Sequence, residues 1–543
     1  MSESAHETLT YESLDQPLSP LFLDYLSGRE RALPFLGSDG FGLDAILGAA
    51  ERTAGASHPR SEVARVLVRQ QEARSSPAAA ERARAVGEPG SVVVVTGQQA
   101  GLFGGPLFVL LKAVATVEVA RRLQERRQRP VVPVFWVASD DHDFAEVRSI
   151  SVLDTGFTLR TLRYTPRHEP IGQPASAIEL DDTIVGVVEE LGRSLAAGIG
   201  RDEVMEAVAA CYRPGETLAG AFGRLVARLL PELVVLDPAD PELKALAVPV
   251  LARELRESSP LSRLAIEAGR RLLEAGYHQQ VPVRPGFLHL FVVAEGQRRA
   301  LALSNGTVEV RGTRERLSLD QALARLESKP EAWSPGALLR PLVQDWLLPT
   351  AAYVGGPAEV AYHAQIAAAY AHFGVPRPVI LPRPSLTLLE PQQARTLQAE
   401  RLDIAELVSD PEGLVTRWAR EDYPDVESAF ARTREAIERE MVALEETLGR
   451  HDPTLRAAAA AARGRAVHPV LALHEKALRA LKKRDQGRAE RLRRTRDALF
   501  PGGALQERGV GLVSPLARHG VALLELLRER LDFFARGHQV VRL

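Results

Sequence analysis

The clearest signal along the chain is a set of short apolar runs, most of them closed by a turn residue. Val92-Val93-Val94-Val95-Thr96 is unbroken, β-branched and ends at Gly97, the pattern of a parallel strand buried on both faces. A glycine-rich turn, Gly97 to Pro106, leads into a helical pattern over 107–127. Val131–Val137 (VVPVFWV) is the next buried strand, so these segments form one βαβ unit. Leu233–Leu236, Ala351–Val354 and Val379–Leu381 repeat the strand pattern and run into Asp237-Pro238, Gly355-Gly356-Pro357 and Pro382. Strands alternating with helices predict an α/β fold with a doubly wound parallel sheet. Residues 1–90 read as mostly helical and rich in Arg and Ala. The stretches near 150–230 and 280–340 are too long for bare loops and predict subdomains inserted in the core.

From about 390 the period changes. Val426, Phe430, Thr433, Ile437, Leu444 and Leu448 recur at three- and four-residue spacing, the seam of a long helix. Asp452-Pro453 ends it. A second long helix runs to about Phe500, with Pro469 predicted to kink it. Two such helices joined by a short turn predict an antiparallel arm, and Pro501-Gly502-Gly503 opens a tail that returns to the core. The predicted organisation is a core over 1–389, a coiled coil over 390–500 and a docking tail over 501–543.

Composition narrows the function. The 543 residues are 45% hydrophobic and 25% charged, enough to bury a sizeable core. The formal net charge of -2 gives no global attraction to nucleic acid or acidic membranes. Cys211, the one cysteine, excludes a disulfide within the chain, fits a reducing compartment and reads as a small buried residue. The opening segment MSESAHETLTYESLDQPLSP has no basic or apolar region of the signal-peptide kind, and no apolar run reaches the ~18 residues of a spanning helix. A soluble, cytoplasmic protein is expected. The run 476–496 holds ten Lys and Arg with Asp485 and Glu490, and pairing with the acids of the first arm helix (Glu435, Glu438, Glu440, Glu445, Glu446) is the expected role. No aromatic residues are interleaved there, which argues against binding of single-stranded nucleic acid.

Three segments carry candidate chemistry. Gly97-Gln98-Gln99-Ala100-Gly101 leaves a buried strand and enters a helix, where ligands of open α/β sheets bind. Its glycines permit close backbone approach, and two adjacent glutamines are better polar readers than packing residues. It matches neither the dinucleotide nor the P-loop pattern. Asp140-Asp141-His142-Asp143 follows the next strand and concentrates acid/base groups; an imidazole there can take a proton from an attacking amine. Arg340, with Gln344 and Asp345, precedes Gly355-Gly356-Pro357, and Glu359 and His363 share a helix face. Arg340 can clamp a carboxylate or form an ion pair with Asp345.

These segments, TGQQAGLFGGP, VVPVFWVASDDHDF, LLRPLVQDWLLPTAAYVGGPAEVAYHAQ, HFGVPRPVILPR and PGGALQER, resemble the cysteine ligase (cysteine-adding enzyme) family of bacillithiol biosynthesis. The resemblance spans most of the chain. It implies a Rossmann-like core with two connecting-peptide insertions and a coiled-coil arm that makes a homodimer. It implies addition of L-cysteine to glucosaminyl-malate, and ADP or ATP in a second pocket beside the arm. Carried onto this chain, it makes Gln98, Gln99, Asp141, His142, Asp143 and Glu359 the catalytic residues. Gly97, Gly101, Arg340, Gln344, Asp345, Gly355 and Gly356 are then expected around the substrates, with no metal assigned. An antiparallel arm brings its two ends together, so Arg383, Ser385, Gln506 and Arg508 are expected to form the nucleotide pocket. The chain has neither the His-x-Gly-His nor the Lys-Met-Ser-Lys-Ser signature of class I synthetases, so the fold alone does not imply adenylation. A nucleotidyl- or phosphoryl-transferase in the same crevice, and a non-enzymatic coiled-coil adaptor, stand as alternatives.

Overall fold

The computed structural model describes residues 7–37, 40–409, 411–484 and 486–543. The chain falls into two compact units. One comprises the residues up to Glu12, Gln16–Leu389 and Ala504–Leu543; the other comprises Ser13–Asp15 and Glu390–Gly503.

The first unit is built on five parallel strands: β1 (Val92–Gln98), β2 (Val131–Val137), β3 (Val234–Leu236), β4 (Thr350–Gly355) and β5 (Val379–Pro382). Their order across the sheet is β5-β4-β1-β2-β3. Val92 to Val95 are wholly buried, as an apolar β-branched run between two helical layers requires. Helix α1 (Leu107–Arg127) returns the chain from β1 to β2 and is buried along most of its length. Two turn glycines are fixed by sterics. A Cβ at Gly97 would lie 2.9 Å from the Trp136 carbonyl oxygen on the neighbouring strand. Gly104 adopts φ +89°, and a Cβ there would meet Leu512 at 2.8 Å.

Both long stretches between core strands are structured. The first holds a hairpin (Ser149–Leu153 with Leu159–Arg163) and the helices Thr183–Ser194, Arg201–Cys211 and Leu218–Leu229. Cys211 is buried there, and burial pushes its thiol up to about 11. The second is a five-stranded antiparallel sheet whose strands Phe287–Ala294, Gln297–Ser304 and Trp333–Pro335 lie nearest the core site. A three-stranded sheet joins Glu7–Leu9, His538–Arg542 and Ser385–Leu389.

Helix α2 (Pro241–Arg256) follows β3 and carries Glu254, which has no exposed surface. Its carboxylate accepts from Ser259 Oγ (3.1 Å) and from the backbone N–H groups of Leu261 and His289 (both 3.3 Å), tying α2 to the inserted sheet. Two shorter helices, α3 (Arg340–Leu347) and α4 (Pro357–Gln365), flank β4.

The second unit contains α5 (Pro424–His451), α6 (Pro453–Arg484) and α7 (Gln486–Leu499). Asp452 breaks the first two, and Pro469 lies inside α6. Phe430 stacks on His474 at 4.6 Å, and Arg463 donates to Glu445 at 2.9 Å, so α5 and α6 run antiparallel. Two expectations need correction. Thr433 and Leu444 are exposed, and none of the α5 side chains is fully buried, so the seam is shallower than its spacing suggests. Of the acids expected to pair with the basic run, Glu445 instead takes Arg456 and Arg463, which precede it. Within the run Arg488 pairs with Glu400 (2.7 Å) and Asp422 (2.8 Å) and stacks on Trp418. Asp485 and the side chains of Lys482, Lys483 and Arg484 lie outside the described residues. Among the described residues no helix is long and apolar enough to cross a membrane.

Burial raises the Glu254 carboxyl from 4.5 to about 7. The folded state therefore holds a proton that the unfolded chain releases, and stability falls as pH rises between those two values, by on the order of 3 kcal/mol. Unfolding midpoints at pH 5 and pH 8 should differ less for Glu254→Gln than for the wild type. Equal differences would show that Glu254 does not set this dependence.

Candidate functional site

The strand order reverses direction between β1 and β4, and ligands of doubly wound sheets bind at such a switch point, beyond the strands' C-terminal ends. A cavity of about 530 Å³ lies there. Its walls include Gly97, Gln98 and Gln99 at the end of β1, Asp140 and Asp141 after β2, and Gly356 and Glu359 after β4.

Lys112 forms the floor of this cavity. It is 1% exposed, yet its Nζ has three acceptors: the Gly97 carbonyl (2.9 Å), Gln98 Oε1 (3.0 Å) and the Glu359 carboxylate. Burial pushes the lysine's pKa down, and Glu359 opposes that shift. Burial also acts to raise Glu359, but Lys112 and hydrogen bonds from Tyr353 Oη and Gly356 N–H outweigh it and hold the carboxyl below its ordinary value.

Arg340 lines the cavity beside this group. It donates to Gln344 Oε1 (2.7 Å) and Tyr362 Oη (3.0 Å) and lies over the Tyr353 ring. The alternative ion pair with Asp345 is not formed. Gln344 stands between them, donating to Asp345 Oδ1 at 2.8 Å, while Tyr370 Oη donates to Oδ2 at 2.7 Å. Asp345 and Gln344 are buried behind the wall, and burial raises the Asp345 carboxyl to about 6. Among the described residues no carboxylate makes an ion pair with Arg340.

The acidic loop after β2 divides its members among separate partners. Asp140 takes both oxygens to Lys244 Nζ (2.6 and 2.7 Å), a buried lysine of α2. Asp141 faces the cavity and accepts from Gln99 Nε2 at 2.7 Å; the same amide donates to Glu146 at 2.7 Å. Asp143 is exposed and caps the short helix Phe144–Val147, accepting from Glu146 N–H at 3.1 Å. His142 Nδ1 accepts from Arg298 Nη1 at 3.2 Å, since a guanidinium only donates. Burial, then the charge of Arg298, lowers the pKa of His142. The neutral ring thus spends its lone pair on Arg298 and presents Nε2–H as a donor, which does not suit the expected proton-accepting role. Among the described residues no three His, Cys, Asp or Glu side chains converge to hold a metal ion.

The remaining expected positions separate. Gly355 is the buried end of β4, and the Gly101 carbonyl accepts from Tyr212 Oη at 3.1 Å; neither lines the cavity. Ser385 and Gln506 are buried with their polar groups engaged, Ser385 by His538 Nδ1 (2.8 Å) and Gln506 by the Leu388 backbone (2.8 and 3.2 Å). Arg383 and Arg508 line the core cavity itself, so these two share the walls of the first site rather than forming one with Ser385 and Gln506. Arg383 is paired with the buried Glu507 at 2.7 Å. His363 is buried between Tyr362 and Tyr353, away from the cavity.

Sequence reading missed Lys112, Arg298, Tyr353 and Tyr362. Lys112 had a signal: it is the one charge in the apolar stretch LFVLLKAVATV. Arg298 had none, because its strand reaches the site only through pairing within the inserted sheet.

A parallel sheet with a polar, charge-lined cavity at its switch point defines a Rossmann-like domain. The comparisons narrow the class. Residues 6–384 match "Bacillithiol biosynthesis BshC, N-terminal Rossmann-like domain", and residues 386–543 match the C-terminal coiled-coil domain of the same family. The chain belongs to this bacillithiol biosynthesis family. Relatives named "Putative cysteine ligase BshC" include one from Koribacter versatilis, 36% identical over 83% of this chain and 84% of its own length. Another, from Salinibacter ruber, is 36% identical over 84% of this chain and 83% of its own.

Replacing Lys112 by Met leaves the Glu359 carboxylate without its counter-ion and should cost about 3 kcal/mol of stability. Adding Glu359→Gln removes the orphaned charge and should recover most of that loss. Denaturant unfolding of the single and double variants measures the coupling, and additive losses would show there is none.

Proposed function

We propose that the switch-point cavity joins the carboxyl group of L-cysteine to the amine of glucosaminyl-malate, completing bacillithiol. The observation that carries this reading is the composition of one cavity. It presents Arg340, which forms no ion pair among the described residues, together with an open acid–amide wall of Asp141, Gln99 and Glu146. Cysteine is a zwitterion, and glucosaminyl-malate carries carboxylates and an amine. Both need cations and anions within the same walls. The volume, about 530 Å³, falls in the ~300–1,000 Å³ range of small-molecule sites. Amide formation joins the carboxyl carbon to the sugar nitrogen and sheds a proton from that nitrogen, and the carboxyl oxygen leaves on the phosphoryl or nucleotidyl group that a nucleoside triphosphate has placed on it. In this reading the proton passes to water in the open cavity, because His142 has no lone pair to offer, and the cavity-facing Asp141 carboxylate serves as a binding anion. The relatives' name supports the cysteine half, and the family's description supports the pathway.

A nucleoside diphosphate such as ADP belongs to the same proposal, held by Arg508. That residue is exposed, lines the cavity and makes no ion pair among the described residues, whereas Arg383 spends its charge on Glu507. A homodimer through the coiled coil is supported by the shallow burial of α5 and by exposed Val442, Leu444, Leu455, Leu471 and Leu473.

In a bacterium that makes bacillithiol, loss of this protein should abolish the thiol and accumulate glucosaminyl-malate. Asp141→Asn should fail to restore the thiol while melting as the wild type does. An unchanged thiol pool on deletion refutes the assignment. Calorimetry should show ADP binding that Arg508→Ala weakens, and light scattering should return twice the chain mass. Equal ADP affinity, or a monomer at micromolar concentration, removes the corresponding part.

A further inference from the structure

Arg298 enters the site from outside the parallel sheet. It lies on the strand Gln297–Ser304 of the inserted antiparallel sheet, and its guanidinium lines the core cavity. Three contacts fix it: Nε donates to Ser334 Oγ (2.9 Å), Nη2 to the Pro335 carbonyl (2.7 Å) and Nη1 to His142 Nδ1 (3.2 Å). The Phe291 ring supports its face, with the guanidinium carbon 3.8 Å from the ring centre. A guanidinium has five N–H donors, so one on each terminal nitrogen is unspent. Its charge has no ion-pair partner among the described residues: Asp140 and Asp141 act on it without pairing with it, and Asp140 gives both oxygens to Lys244. A rigidly held, half-buried guanidinium with two spare donors at a cavity wall suits a two-pronged carboxylate contact.

Its surroundings say which carboxylate. Asp141 lines the same cavity, and its charge acts on Arg298. Asp141 is itself held by Gln99 Nε2 and by the His142 N–H, both at 2.7 Å. A fixed cation beside a fixed anion complements an α-amino acid, whose carboxylate and ammonium are separated by a single carbon. We infer that Arg298 anchors the carboxylate of the amino-acid substrate and that Asp141 receives its ammonium group. The inserted sheet thereby supplies the residue that selects an amino acid over a simple amine, and Arg340 is left for the anionic partner substrate. The inference rests on the cysteine reading given above.

Calorimetry on the full chain under reducing conditions tests it, with L-cysteine and with cysteamine, which keeps the thiol and ammonium but lacks the carboxylate. The wild type should prefer cysteine by about tenfold or more, the worth of a charge-assisted contact. Arg298→Met should bring that ratio close to one, and Arg298→Lys should keep part of it. The ratio is the readout because partial unfolding weakens both ligands equally. A ratio unchanged in Arg298→Met, with cysteine still bound, overturns the role of Arg298 and leaves the proposed reaction standing. A wild type that binds neither compound, with or without glucosaminyl-malate, overturns both.

Discussion

An ammonium group with almost no access to water sits where the sheet changes direction. Removing a charge from water costs several kcal/mol, so Lys112 is tolerable only while its three acceptors stay in place. Two of them, the Gly97 carbonyl and Gln98 Oε1, belong to the end of β1; the third, Glu359, belongs to the start of α4. One side chain therefore fixes the spacing across the switch point. Glu359 passes the constraint on, since it also holds Tyr353 Oη and the Gly356 N–H, and Tyr353 lies under Arg340. The cavity's floor and one of its walls thus share a single electrostatic condition.

The parallel core was legible because buried strands need little information. A short, mostly apolar run has few other places to go, and all five strands were read as strands from such runs. The site was legible only in part, for a different reason. Its loops announce polar chemistry, but which polar group meets which is decided by tertiary neighbours that sequence adjacency does not reveal. Asp140 to Asp143 read as one cluster, yet Lys244, Gln99, Arg298 and a helix N-terminus each claim a different member. The arm shows the same limit. Periodicity identified the helices correctly, but it could not say that Leu444 would face outward or that Glu445 would meet Arg463.

The inserted antiparallel sheet does more than decorate the core. Glu254 ties it to α2, Lys244 of that helix reaches both Asp140 and the Trp333 carbonyl, and Arg298 reaches His142. Each link joins a core residue to a strand of the insertion through a charged or titratable group. The acidic loop after β2 is therefore positioned as much by the insertion as by the strand that precedes it, although the two are far apart in sequence.

The Arg383–Glu507 pair has a consequence for how the protein is made. Both partners are buried, and Glu507 also accepts from the Leu386 N–H, 121 positions earlier. On a ribosome moving at ~5–20 residues per second, on the order of ten seconds separates synthesis of the two ends of that contact. Throughout that delay the nascent core carries an unpartnered arginine and, at Ser385–Leu389, a strand whose sheet partner His538–Arg542 has yet to be made. Chaperone engagement during synthesis should concentrate on that strand, and ribosome stalling within the arm would strand the core before its cavity is complete.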